Sequence, residues 1–119
     1  MLQVSNGKTT GFLGQNKIYI GRANKTYNLA KSPLANPYVI GESTLNRTKV
    51  IELYREWLWY QIKSWQETGK LNPVVEELLG ICDRIKKGDR ITLTCWCHPL
   101  PCHGDVIVRC VKWMINQGY

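Results

Sequence analysis

One stretch constrains this chain more than any other: Ile91-Thr-Leu-Thr-Cys-Trp-Cys-His-Pro-Leu-Pro-Cys-His-Gly-Asp-Val-Ile107. It holds three of the five cysteines and both histidines. Residues 90–94 alternate polar and apolar and are rich in β-branched side chains, which is the pattern of a strand. Pro99 and Pro101 then stop strand pairing and exclude a helix interior. Beyond Cys102 the apolar spacing turns helical, with Val106, Ile107, Cys110, Val111 and Met114 near one face. The stretch reads as strand, turn, helix, with the reactive residue types crowded into the turn.

Open α/β sheets place ligand sites at such junctions. Backbone N–H groups at a helix N-terminus lack internal partners, and the helix dipole is positive there. That environment favours an anion and lowers the pKa of a nearby thiol. Asp105 in the first turn, with Arg109 and Lys112 further along, suits the dipole.

The length of 119 residues fits one domain with a real core. No apolar run is long enough to span a bilayer, and Met-Leu-Gln-Val-Ser at the N-terminus lacks the apolar region of a signal peptide. A cytoplasmic protein with reduced thiols is expected. The odd cysteine count and the clustering of three within eight residues argue against a secreted disulfide framework. The net charge of +7 is uneven. Lys8, Lys17, Arg22, Lys25 and Lys31 fall in the first 41 residues, which carry no acid. Such a half suits a small anion, a nucleotide or a nucleic acid, or is simply a solvated face. No dense basic run or RNA-binding aromatic motif points to sequence-specific readout of nucleic acid.

Residues 1–15 read as an arm or a short hairpin. Residues 17–20 alternate and predict the first core strand. Gly21, Arg22 and Asn24 follow as a candidate ligand-facing loop, because glycine permits close backbone approach and Arg offers a planar fork for phosphate or carboxylate. The loop-rich residues 26–41 contain the Asn36-Pro37 turn signal, and Tyr38-Val-Ile40 has strand character. A long helix is expected from Glu42-Ser43-Thr44 to Gly69, capped by Ser43 or Thr44. Val50, Leu53, Tyr54, Trp57, Leu58, Gln61, Ile62 and Trp65 form its buried spacing, widened by Trp59 and Tyr60. A second helix follows, with Asn72 as cap, Pro73 at its first position and Val74, Leu78, Ile81, Cys82 and Ile85 as its stripe. Cys82 and Cys110 read as core residues. The expected fold is α/β: a small single-domain layered sheet flanked by helices, Rossmann-like, with residues 1–15 or 36–40 supplying a further strand.

At Cys95-x-Cys97-x-Pro99-x-x-Cys102-His103-Gly104-Asp105 the chain resembles a bacterial and phage family catalogued as a domain of unknown function, number 4326. Tyr19-Ile-Gly-Arg22 and Asn36-Pro37-Tyr38 with Ile40-Gly41 extend the resemblance, which covers most of residues 17–115. It implies a family but no activity.

The residues leave three chemistries open. The first is a site that binds or processes a nucleotide-like or phosphate-bearing small ligand. Arg22, Asn24, Asn36 and Gly104 would bind it, Cys97 or Cys102 would act as nucleophile or polar contact, His103 as base and Asp105 as its orienter or a second general base. No Arg stands between Cys95 and Asp105, which disfavours a phosphatase or rhodanese mechanism. The second is a zinc site made by Cys95, Cys97, Cys102 and His103. Against it, four ligands within nine residues are unusual, and adjacent helix-start residues point about 100° apart. The third is structural, with small buried thiols and a capped helix. Whether the chain is an enzyme or a binding protein stays open, as does a nucleic-acid partner.

Overall fold

The computed structural model describes residues 1–39 and 46–119. Among these residues, three strands form one sheet, β1 (Leu2–Asn6), β2 (Lys17–Tyr19) and β3 (Ile91–Cys95), in the spatial order β1-β3-β2. Both pairings are parallel, with Val4 and Ile18 each opposite Leu93. The chain is therefore a mixed α/β domain, as expected, and its parallel sheet is what the Rossmann-like reading rests on. The helices are α1 (Gly7–Thr10), α2 (Arg47–Thr68), α3 (Pro73–Lys86) and α4 (His103–Asn116). None is long and apolar enough to cross a membrane, among the described residues.

Alternation along β3 sorts the two faces of the sheet. Ile91, Leu93 and Cys95 are buried in the main core with residues of all three long helices. Thr94 points to the other face. There its hydroxyl donates to the Phe12 carbonyl at 2.9 Å, on the connection from β1 to β2. Phe12 and Tyr19, with Trp96 packed on them, form a second, smaller cluster on that side. The connection must return from the end of β1 to the start of β2 in only ten residues, so it crosses β3 closely. Gly7 permits this: a Cβ there would lie 2.0 Å from the Phe12 ring.

The N-terminal residues are neither an arm nor a hairpin; they supply the further strand that residues 1–15 or 36–40 were expected to give. Residues 2–6 are an edge strand whose partner lies some ninety positions away, so local turn chemistry gives no hint of it. The long helix begins at Arg47, capped by the Asn46 side chain, which accepts from Lys49 N at 2.9 Å. Ser43, Thr44 and Ile40-Gly41 lie outside the described residues, and Tyr38 and Val39 are not in a strand. The buried face of α2 is the strict series Val50, Tyr54, Leu58, Ile62. Trp59 and Tyr60 do not widen it; they are exposed, and Trp59 packs edge-on against Trp113 of α4. Helix α3 forms as its signals require, with Asn72 accepting from Val75 N and Pro73 at its start. Cys82 is wholly buried on the α3 stripe.

Leu93 is completely buried at the middle of the central strand. Leu93→Ala should cost about 2–5 kcal/mol, read as a lower urea midpoint with an unchanged slope.

Candidate functional site

The turn after β3 and the cap of α4 are locked together by the reactive residues themselves. Cys102 is the N-cap of α4. Its Sγ accepts from Gly104 N at 3.3 Å, and the Asp105 carboxylate reaches back to accept from Cys102 N at 3.1 Å. This is a capping box with a thiol in the usual hydroxyl position. Asp105 is thus the reciprocal cap rather than the orienter of His103, because its carboxylate is held by the Cys102 backbone. Gly104 is buried under β1 and the end of β2, where a Cβ would stand 3.0 Å from Val4 Cγ1. Its backbone N–H is occupied by Cys102, so it serves helix packing rather than ligand approach.

Cys95 closes β3 and meets Cys102 at an Sγ–Sγ distance of 3.6 Å. The S–H of Cys102 donates to Cys95, which also accepts from His98 N at 3.4 Å. Donation from Cys102 is the main reason that the Cys95 thiol falls to about 6, against the opposing effect of burial; the backbone N–H groups of His98 and Cys97 add to it. The same contact, with burial, pushes Cys102 far up. Cys95 is therefore the thiolate of the pair, a role the sequence pattern would assign to Cys102 at the helix start. Cys97 is half-buried nearby. Cys110, on α4, is pushed up to about 12 by burial and by Cys82, which suits its reading as a packing residue.

His103 Nε2 lies 2.7 Å from the Ile20 carbonyl. A carbonyl only accepts, so Nε2 carries the proton and Nδ1 keeps the lone pair. The ring packs edge-on against Tyr54, whose buried hydroxyl donates to Leu34 O at 2.7 Å. Burial holds the His103 pKa below the ordinary value, and the Arg22 charge lowers it further. His103 is a neutral imidazole at neutral pH.

The loop after β2 is organised around Arg22. Tyr19 Oη donates to the Arg22 carbonyl at 2.6 Å and accepts from Trp96 Nε1 at 2.9 Å. The Arg22 guanidinium donates to the carbonyls of Asn36, at 2.6 Å, and Tyr38, at 2.8 Å. Asn36 Oδ1 accepts from Tyr38 N, and Asn24 Oδ1 accepts from Tyr27 N, so both side chains shape their own turns.

These parts surround one cavity of about 420 Å³ at the C-terminal ends of β2 and β3. Arg22, Asn24, Asn36, Cys95, Cys97, Cys102 and His103 all line it; Gly104 and Asp105 do not. Arg47 and Trp96 line it too. Sequence reasoning missed both. Arg47 looks like an ordinary first-turn residue of α2, and only the folded chain brings its guanidinium to the Pro101 carbonyl, at 3.0 Å. Trp96 could have been suspected from its place inside the cysteine run. Among the described residues, no three His, Cys, Asp or Glu side chains stand together as metal ligands.

The family model described as "Domain of unknown function (DUF4326)" matches residues 3–113, a span that contains the whole cysteine run. The chain belongs to this family. No curated protein and no solved structure matches it significantly.

Two pH dependences follow for this DUF4326 domain. The ultraviolet absorbance of thiolate should show a step with a midpoint of about 6 that Cys95→Ser removes. Cys102→Ala should move that step upward, since the donor that stabilises the thiolate is gone. For His103 the folded pKa lies below the unfolded one. The unfolded chain then binds more protons, so stability is intact above the ordinary histidine pKa of about 6.5 and declines as pH falls below it. Urea midpoints measured across that range should show the decline, flattened in His103→Gln.

Proposed function

We propose that this domain binds or processes a nucleotide-like or phosphate-bearing small ligand in the cavity at the ends of β2 and β3. The observation that carries the reading is the pairing of Arg22 and Arg47 on one wall system with Cys95, Cys102 and His103. Each guanidinium is tethered by backbone carbonyls, and among the described residues neither is paired with a carboxylate. Each keeps its charge and further N–H donors for an anion. The tether also reduces the side-chain entropy lost on binding. Tyr19, Tyr38 and Trp96 supply aromatic surface beside the charges, as a base and a phosphate together require. The volume falls in the range of small-molecule sites.

Processing would draw on the Cys95 thiolate as nucleophile and the neutral His103 as base, the residue pairing that thiol catalysis uses. A ligand that is only held would need neither. In this reading Arg22 binds the ligand, and Asn24 and Asn36 set the loop that presents it.

The test is a thermal-shift and calorimetric titration of the full chain with inorganic phosphate and a panel of nucleoside mono- and diphosphates. At least one nucleotide should stabilise the protein. Arg22→Gln and Arg47→Gln should each weaken it about tenfold or more, near 1.4 kcal/mol, while Lys25→Gln should change it little. An even loss across Arg22, Arg47 and the lysines, with steep salt dependence, would instead mark a nucleic-acid face. A stoichiometric metal in native mass spectra of protein purified without a metal-affinity tag would transfer the cysteines to ligand duty and defeat the reading.

A further inference from the structure

We propose that Cys95 and Cys102 are a redox-active pair, which hydrogen peroxide entering the cavity converts to a disulfide between the end of β3 and the cap of α4. The proposal does not depend on the cavity's ligand. It rests on three features of the geometry. The two sulfurs are in contact at 3.6 Å before any reaction. They belong to different elements, so a bond between them closes the turn of residues 95–102. Both residues line a cavity of about 420 Å³, yet each is almost fully buried, Cys95 at 1 % exposure and Cys102 at 3 %.

Burial selects the oxidant. Thiol–disulfide exchange needs the attacking sulfur to line up with both sulfurs of an incoming disulfide. A protein disulfide or a bulky mixed disulfide cannot align on a sulfur as buried as these two. Hydrogen peroxide, little larger than water, can.

The chemistry balances in two steps. The Cys95 sulfur attacks one peroxide oxygen; the S–O bond forms, the O–O bond breaks, and the departing hydroxide takes up a proton as water. The product is a sulfenic acid at Cys95. The Cys102 sulfur then attacks the Cys95 sulfur; the S–S bond forms and the S–O bond breaks. The leaving hydroxide combines with the Cys102 proton as a second water. The two thiols together lose two electrons, and the peroxide gains them.

Cys102 is well placed as the resolving partner because its sulfur is held on Cys95 by the capping geometry. Gly104 N donates to Cys102 Sγ, and Asp105 fixes the Cys102 backbone. Cys97 is the nearest rival in sequence, but its sulfur makes no hydrogen bond with Cys95 among the described residues. Cys82 and Cys110 lie on α3 and α4 and do not line this cavity.

The experiment treats the metal-free chain with limited hydrogen peroxide at neutral pH, alkylates it in denaturant without reduction, and maps the peptides. The expected product is lighter by two hydrogens before alkylation. It carries a Cys95–Cys102 cross-linked peptide, retains alkylated Cys82, Cys97 and Cys110, and reverts with a thiol reductant once the chain is unfolded. Oxidised glutathione at matched concentration should give far less of it. Cys97→Ser should leave the cross-link intact, and Cys102→Ser should trap a dimedone-reactive sulfenic acid at Cys95. The wild-type peptide map decides the matter even where Cys102→Ser fails to fold. Five freely alkylated cysteines after treatment, a cross-link that uses Cys97, or equal reaction with glutathione disulfide would each overturn the proposal.

Discussion

The cap of α4 is the constraint on which the rest of the site depends. A helix that starts directly after a Pro-rich turn leaves its first N–H groups without partners. Here Cys102 and Asp105 satisfy them reciprocally, with a sulfur where most capping boxes have an oxygen. A hydroxyl in that position would end its interactions there. The larger, more polarisable sulfur also reaches Cys95, so the device that starts the helix also ties it to the end of the central strand. Placement of His103 is a consequence. As the first residue of α4 it is carried over the end of β2, where the Ile20 carbonyl fixes its tautomer.

That arrangement separates the acid–base properties of three neighbours. Two thiols in contact cannot both ionise cheaply. Cys95, with backbone N–H groups and the Cys102 S–H directed at it, takes the charge; Cys102 keeps its proton. His103 is kept neutral mainly by burial and secondarily by Arg22. Arg22 in turn is held by carbonyls of residues 36 and 38, which belong to the loop that also packs Leu34 against Tyr54. The charges at the cavity are therefore set by backbone geometry more than by ion pairs. The side-chain ion pairs among the described residues lie on α2 and around the C-terminal end of α3, away from the cavity; the exposed Lys49–Glu52 and Lys87–Asp83 pairs add little to stability.

Legibility in the sequence follows how local each signal is. Helix α3 carries its cap, its first-position proline and its apolar stripe within one stretch, so all were readable. So was the strand–turn–helix of residues 91–107, because prolines divide it and periodicity changes across it. Strand β1 was readable only as a need: the sheet called for a further strand from residues 1–15 or 36–40, but five residues of mixed polarity take their bounds and pairing only from β3. Trp59 and Tyr60 misled because a run of aromatics hides the strict four-residue series beneath it. The site divides the same way. That Arg22, Asn24 and Asn36 would face the cysteine turn was expected, and the cavity brings them together because both loops follow parallel strands and so lie at the same end of the sheet. Which thiol ionises was not legible. The helix-start rule favours Cys102, and it fails because the N–H that would stabilise a Cys102 thiolate is outweighed by the donors that converge on Cys95. Asp105 was misassigned for a related reason: a carboxylate two residues after a histidine invites a catalytic reading, although three residues after a cap it is the partner of the cap.

The short connection between β1 and β2 also fixes one wall of the cavity. A helical crossover there would cover the Thr94 face and extend over the strand ends. Instead ten residues cross β3, held by Thr94 on Phe12 and by the Thr92 N–H on the Asn16 carbonyl, at 2.8 Å. Phe12 then packs on Tyr19 and Trp96. Trp96 is thereby anchored through its ring on one side and through its indole N–H on Tyr19. Tyr19 passes the constraint to the Arg22 backbone. The chain of contacts runs from the central strand through an aromatic cluster to the basic loop without any flexible surface side chain in between. A cavity wall built this way keeps its shape before a ligand arrives, which lowers the ordering cost of binding.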